Sequence, residues 1–205
     1  MSSSLVGGMP THVSTYSYPS LPWETSRTIL RRYAPTDERA FLNLWNDPVV
    51  QRSSFVEDLS PLRTEQLLQT TIQSISKGSI FFLVVEDKEK REFLGHVSLS
   101  FNPQPEHDAA ISIALSAGYR GRGFGTEVMH WVITYGFREF GLRRISLTVL
   151  EDNIPALRMY RKIGFIDEGT RKQGSRSSSQ PRNIICMGIV REEWDIQSGR
   201  RRALP

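Results

Sequence analysis

The sequence predicts a soluble globular domain of mixed α/β class, and three observations carry that reading. A chain of 205 residues suits one domain and not comfortably two. Its apolar fraction is 39% and its charged fraction 23%, ordinary for a soluble protein, and the longest apolar run, Ile80 to Val85, is far short of the ~20 residues a membrane span needs. The hydrophobic period also changes along the chain, ending in a strand, helix, strand, helix, strand alternation typical of a mixed sheet.

The elements follow in order. Residues 1–24 hold no charged side chain before Glu24 and read as a disordered or loosely docked arm. Thr28 to Arg31 reads as a strand, broken at Ala34-Pro35. Thr36-Asp37 offers an N-cap for a helix through Trp45 with Phe41, Leu44 and Trp45 on one face, and Asn46-Asp47-Pro48 stops it. Ser60-Pro61 opens a second helix, striped by Leu67, Leu68, Ile72 and Ile75 and ending at Gly78. Residues 80–86, 92–101 and 109–115 alternate as three strands. A glycine-rich stretch, 118–125, leads into a helix carrying Val128, Trp131, Val132, Tyr135 and Phe137. A strand at 144–150, a short helix at 154–162, a strand from Phe165 and a last strand near 183–190 complete the domain, taken as residues 25–195. Residues 171–182 carry four basic residues, no acidic one and a serine triplet, which predicts a mobile loop; 196–205 reads as a basic tail.

Composition narrows the function. Lys plus Arg exceed Asp plus Glu by 26 to 22, a net +4 that is mild for a nucleic-acid binder but suits a protein handling an anionic cofactor. The single cysteine, Cys186, excludes an intramolecular disulfide and any zinc site built on several thiolates; no metal is expected. The N-terminal stretch has neither the charge nor the apolar core of a targeting signal, so a cytoplasmic location with nuclear access open is the expectation, with no membrane and no nucleic acid as partner.

The strongest chemical signal is Arg120-Gly121-Arg122-Gly123-Phe124-Gly125-Thr126, after a strand and at the start of a helix. Glycines let the backbone turn sharply and bring several N–H groups to one anion, and the helix N-terminus adds positive potential, so the stretch suits a pyrophosphate. A glycine-rich turn that only joins strand to helix is the alternative. The P-loop pattern is absent, and a dinucleotide fingerprint fails because position 126 is Thr.

These residues resemble the GNAT superfamily of acyl-CoA-dependent N-acetyltransferases, whose loop reads Arg/Gln-x-x-Gly-x-Gly/Ala. Asn153, Ala156, Tyr160 and Gly164-Phe165 match the downstream half, and Arg191-Glu192-Glu193-Trp194 is similar to the branch containing ribosomal-protein alanine N-acetyltransferases. The resemblance implies a mostly antiparallel sheet of about seven strands, flanked by about four helices and splayed between the fourth and fifth strands, with acetyl-CoA in the cleft. It implies pairing of Ile113, Ala114 and Leu115 with the pantetheine amides. Pyrophosphate would be bound from Arg120 to Gly125 with Thr126, and Asn153 would bond the pantetheine arm.

Tyr160 is the implied general acid, since a phenol near pKa 10 can donate to a leaving thiolate near 8.5; a core aromatic on a short helix is the alternative. The strand-four carboxylate of close relatives is Ala110 here. On the same strand face stand Asp108, a candidate base or a turn cap, and Ser112. His96, a base or a structural ring, and Glu57 and Asp58, before the second helix, complete the candidate acceptor set. The expected function is acetyl transfer from acetyl-CoA directly to a primary amine, either a peptide N-terminus or a small amine of low pKa, by a monomer or homodimer. A non-catalytic acyl-CoA sensor is the rival.

Overall fold

The computed structural model describes residues 22–53, 65–102, 107–175 and 181–203. Within these residues eight strands form one sheet in the order β1-β2-β3-β4-β5-β6-β8-β7. They are β1 (Trp23–Glu24), β2 (Thr28–Arg31), β3 (Phe81–Asp87), β4 (Phe93–Phe101), β5 (Asp108–Leu115), β6 (Arg144–Leu150), β7 (Ile166–Ser175) and β8 (Arg182–Val190). Every neighbouring pair is antiparallel except β5 with β6. Among the described residues six α-helices flank it: α1 (Glu38–Trp45), α2 (Pro48–Ser53), α3 (Glu65–Gly78), α4 (Phe124–Glu139), α5 (Ile154–Ile163) and α6 (Arg191–Ala203).

Alternation along the strands divides the core in two. One face sends Leu83, Val97, Leu99, Ile111, Ile145, Leu147 and Met187 against Val128, Met129, Val132, Ile133 and Phe137 of α4. That helix lies close because residue 136 is glycine: a β-carbon there would sit 3.2 Å from both Ile145 and Leu142. The other face sends Phe82 and Val84 against Phe41, Leu44 and Trp45 of α1 and Leu68 and Ile72 of α3.

The sequence expectations need four corrections. Trp23 and Glu24, assigned to the arm, form β1, because Trp23 is buried against Phe81, Trp131 and Tyr135. This adds an eighth strand, so the fourth and fifth strands of the sequence count are β5 and β6. Residues 171–175, expected as loop, continue β7 alongside β8, with a shift of register between Arg171 and Ser175. As the outermost strand β7 tolerates the charged residues that argued against it. The tail from 196 continues α6, which Trp194 anchors in the main core. Finally, Asn46-Asp47-Pro48 ends α1 but also starts α2, since the Asp47 carboxylate accepts from the Val49 N–H (2.7 Å) and Pro48 occupies the first helical position.

Candidate active site

β5 and β6 share only three register pairs, Asp108 with Arg144, Ala109 with Ile145 and Ala110 with Ser146. Beyond them the strands part. β5 stays paired to β4 through Leu115, and β6 to β8 through Leu150. The resulting cleft opens toward the carboxyl ends of both strands. Although they lie in mid-sheet, Ile113, Ala114 and Leu115 are only half-buried and Ser112 is exposed. A strand bordering a gap keeps backbone groups on that side without a strand partner, where an extended ligand with amides can add as a strand would.

The glycine-rich loop sits at the open end of the β5 wall. Gly121 (φ +70°) and Gly123 (φ +87°) adopt the left-handed backbone that favours glycine. Gly123 is the N-cap of α4, and the first intrahelical bond runs from Glu127 N–H to its carbonyl (3.1 Å). The amides of Phe124, Gly125 and Thr126 therefore precede the helical ladder, the arrangement that receives an anion.

The arginines of this loop are turned elsewhere. Arg122 donates to the Gly118 carbonyl (3.2 Å) and lies over Tyr119 and Phe124. Arg120 donates from Nε to the Leu115 carbonyl (2.8 Å) and from Nη2 to Asp47 (3.2 Å), so its side chain braces the β5 wall rather than the amide cradle. The cation that tertiary structure adds to the rim is Arg27. Its Nη1 donates to the Arg122 carbonyl (3.1 Å), its guanidinium covers the Phe124 ring (4.5 Å), and Glu127 holds its Nε (2.7 Å). No local pattern at Thr25-Ser26-Arg27 signals this, because the partners lie about a hundred residues away.

The β6 wall carries Asn153 and Tyr160. Asn153 caps α5, its side-chain oxygen accepting from Ala156 N–H (3.3 Å), which leaves its amide nitrogen as donor. Tyr160, partly buried against the main core, meets Phe165 edge-on at 5.9 Å. Burial pushes its phenol up to about 12.

The candidate bases fare differently. Asp108 is buried and ion-paired to Arg144, which also holds Glu168. The Oδ2 of Asp108 is taken by the Arg144 guanidinium at the register pair that closes the base of the cleft, and its Oδ1 is buried without a hydrogen-bond partner among the described residues. His96 is enclosed by Phe41, Phe82 and Trp45, and accepts from the Trp45 indole at 3.1 Å. Burial lowers it to about 4, making it a neutral ring of the smaller core and not a group presented to the acceptor. Ser112 is exposed on the strand that borders the cleft. Around Ala110 stand Ser100 and Ser146, its register partners, with Ser146 accepting from Asn102 (3.2 Å). Glu57 and Asp58 lie outside the described residues.

Comparison with known proteins identifies the family. Residues 27–166 match the acetyltransferase (GNAT) domain family. The chain is 26% identical to the uncharacterized N-acetyltransferase YoaA of Bacillus subtilis over 82% of its length and 96% of that protein. It superposes on spermidine N-acetyltransferase from Vibrio cholerae, solved in complex with CoA and spermine, with a TM-score of 0.73 at 23% identity, covering 82% of this chain and 98% of that one. The ribosomal-protein-S5-alanine acetyltransferase of Vibrio fischeri superposes with a TM-score of 0.68 at 21% identity, covering 85% and 99%. With a family match spanning most of the described domain and a cleft opened between its two parallel strands, the chain belongs to the GNAT acetyltransferases and is an acetyltransferase enzyme.

Proposed function

We propose that the enzyme moves acetyl from acetyl-CoA directly to a primary amine of low basicity, in the first place the α-amino group of a peptide or protein, with small amines of similar pKa as the nearest alternatives. The cofactor half of this reading rests on fit. The amides at 124–126 suit a pyrophosphate, the unpaired side of β5 at Ile113 to Leu115 suits the pantetheine amides, and the Asn153 amide nitrogen can donate to the same arm. A CoA complex of a protein with this fold supports it.

In the transfer, the amine lone pair attacks the thioester carbonyl carbon. The N–C bond forms, the C–S bond breaks, the sulfur leaves as thiolate and the nitrogen sheds a proton to water. Tyr160 keeps its proton throughout the physiological range. Full transfer from a phenol near 12 to a thiolate near 8.5 runs uphill by roughly 5 kcal/mol, so its contribution is a hydrogen bond that stabilises the developing thiolate.

One observation carries the choice of acceptor: the carboxylates described around the cleft each hold a side-chain partner, although Oδ1 of Asp108 is buried without one. Asp108 and Glu168 share Arg144, Asp47 pairs with Arg120, Asp152 with Arg182, and Glu151 accepts from Asn183. Such a site has little to deprotonate an ammonium or to attract a polycation. A lysine-type amine near pKa 10.4 costs roughly 4 kcal/mol to deprotonate near neutral pH, against well under half that for an α-amine near 8. Competition at one pH among an N-terminally free peptide, the same peptide blocked at its N-terminus but carrying lysine, and spermidine tests the reading. The free N-terminus is expected to be acetylated fastest; faster transfer to lysine or spermidine overturns it and places a base or an acidic subsite in this cleft.

A further inference from the structure

Helix α2 buries none of its side chains, and Val49 is exposed. Val50 packs on the smaller core and the Gln51 side chain donates to the Trp45 carbonyl (2.5 Å), and two arginines from opposite walls of the cleft fasten its ends. At its N-terminal end, Asp47 caps the helix through Oδ1 and accepts from Arg120 Nη2 through Oδ2 (3.2 Å). Arg120 is tied in turn to the carbonyl of Leu115, the last residue of β5. At the C-terminal end, Arg182, the first residue of β8, donates from Nη2 to the Arg52 carbonyl (2.6 Å). Its Nη1 donates to Asp152 (3.1 Å), just past the end of β6. One end of α2 is thus fastened to the β5 wall and the other to the β6–β8 wall, where the two walls are furthest from their shared register pairs. Val50 packs on the smaller core, so α2 lies on the sheet face opposite α4. That is the face on which Ser112 of β5 and Thr148 of β6 are exposed, one on each side of the cleft.

We infer that α2 is a strap across the mouth of the cleft, that Arg120 and Arg182 are its positioning residues, and that the strap sets how firmly the amine acceptor is held. The acceptor part rests on the acetyl-transfer reading; the strap does not. Both fastenings are charge-assisted hydrogen bonds, and Arg182 is largely shielded from solvent, so loss of one is felt by the helix rather than absorbed by water. The arrangement also gives the loop arginine a contact distinct from phosphate binding, because its guanidinium reaches the residue that caps α2 while the amides of 124–126 precede the α4 ladder.

The test combines hydrogen exchange with steady-state kinetics on Arg182→Ala, Arg182→Lys and Asp47→Asn. Asp47→Asn keeps an oxygen for the Val49 cap and weakens only the ion pair. In Arg182→Ala, exchange of the 49–53 amides is expected to rise about tenfold or more, the size of one charged hydrogen bond. The KM for the amine should rise by about the same factor, with kcat and acetyl-CoA affinity within about twofold. Arg182→Lys should recover most of both changes, and Asp47→Asn should shift both in the same direction by less. Unchanged exchange at 49–53 in Arg182→Ala, or a loss of acetyl-CoA affinity as large as the loss in acceptor KM, overturns the strap. Absence of turnover with every amine counts instead against acetyl transfer, and hydrogen exchange still decides the strap.

Discussion

Tyr160 takes its chemistry from where α5 places it. The same ring that packs on Phe165 is desolvated enough to raise its phenol to about 12, so the donation proposed for it would come from a packed ring. Tyr160→Phe keeps the ring and removes only the hydroxyl. Turnover is expected to fall about a hundredfold with acetyl-CoA affinity nearly unchanged, the signature of a group that acts in the transition state. In the wild type, kcat should climb with pH as the amine loses its proton and then stay level to pH 10, because Tyr160 is still protonated there. Wild-type turnover in Tyr160→Phe, or a downturn between pH 8 and 10 that disappears in that variant, would contradict this assignment. Asp108 shows the opposite case. Its position on the strand makes it a candidate base, and the guanidinium that holds it, Arg144, stands 36 residues away, where no local pattern signals it.

At the level of elements, the join between β5 and α4 was the most legible part of the chain. Glycines at 121 and 123, a strand before and an amphipathic helix after, are short-range features, and the left-handed backbone at both positions is what they supply. Alanine at 123 would hold a β-carbon in that conformation, at about 1 kcal/mol or more, and place it 3.2 Å from Arg27 Nη2. Gly123→Ala should therefore lower the melting temperature slightly without ligand and sharply reduce the rise that acetyl-CoA produces, since that rise follows ligand concentration over dissociation constant. A full acetyl-CoA shift in the variant would return the loop to a plain connecting turn. Elements that local signals misread have a common cause. β7 is charged because it is an edge strand, α6 is polar but anchored by Trp194 against His130, and α2 begins at the Asp-Pro pair that also ends α1.

The molecule as a whole has an acid-sensitive point in its smaller core. His96 has a folded pKa of about 4 against an ordinary value near 6.5, because its aromatic enclosure excludes the charged form. Between those values the unfolded chain binds the proton more readily than the folded one, so stability rises with pH across this window and is lost as pH falls from 6.5 to 4. The full loss is roughly 3 kcal/mol, a large share of a typical domain's stability. Asp47 and Glu127 have lowered pKa values, so their stabilisation is lost at lower pH than the upper part of this window. Urea midpoints measured from pH 7 to 4 should therefore fall steeply for the wild type and much less for His96→Gln, which keeps an acceptor for the Trp45 indole. Parallel curves would show that another group governs the transition.

Local patterning was enough for the mixed class, for the buried faces of α1, α4 and the central strands, and for the glycine loop with its Asn153 and Tyr160 companions. Each depends on residues within a turn or two of one another, where periodicity and capping act. The parting of β5 from β6, the rim position of Arg27, the pairing of Arg120 with Asp47 and the reach of Arg182 to Arg52 follow from chain closure over distances of 73 to 130 residues for the side-chain contacts. A guanidinium finds its carboxylate or carbonyl only after the sheet has assembled and set the walls in place. That is why the glycine loop and its strand–helix setting could be read along the chain, while the fastenings of α2 and the ion pairs beside the cleft emerge only from the folded molecule.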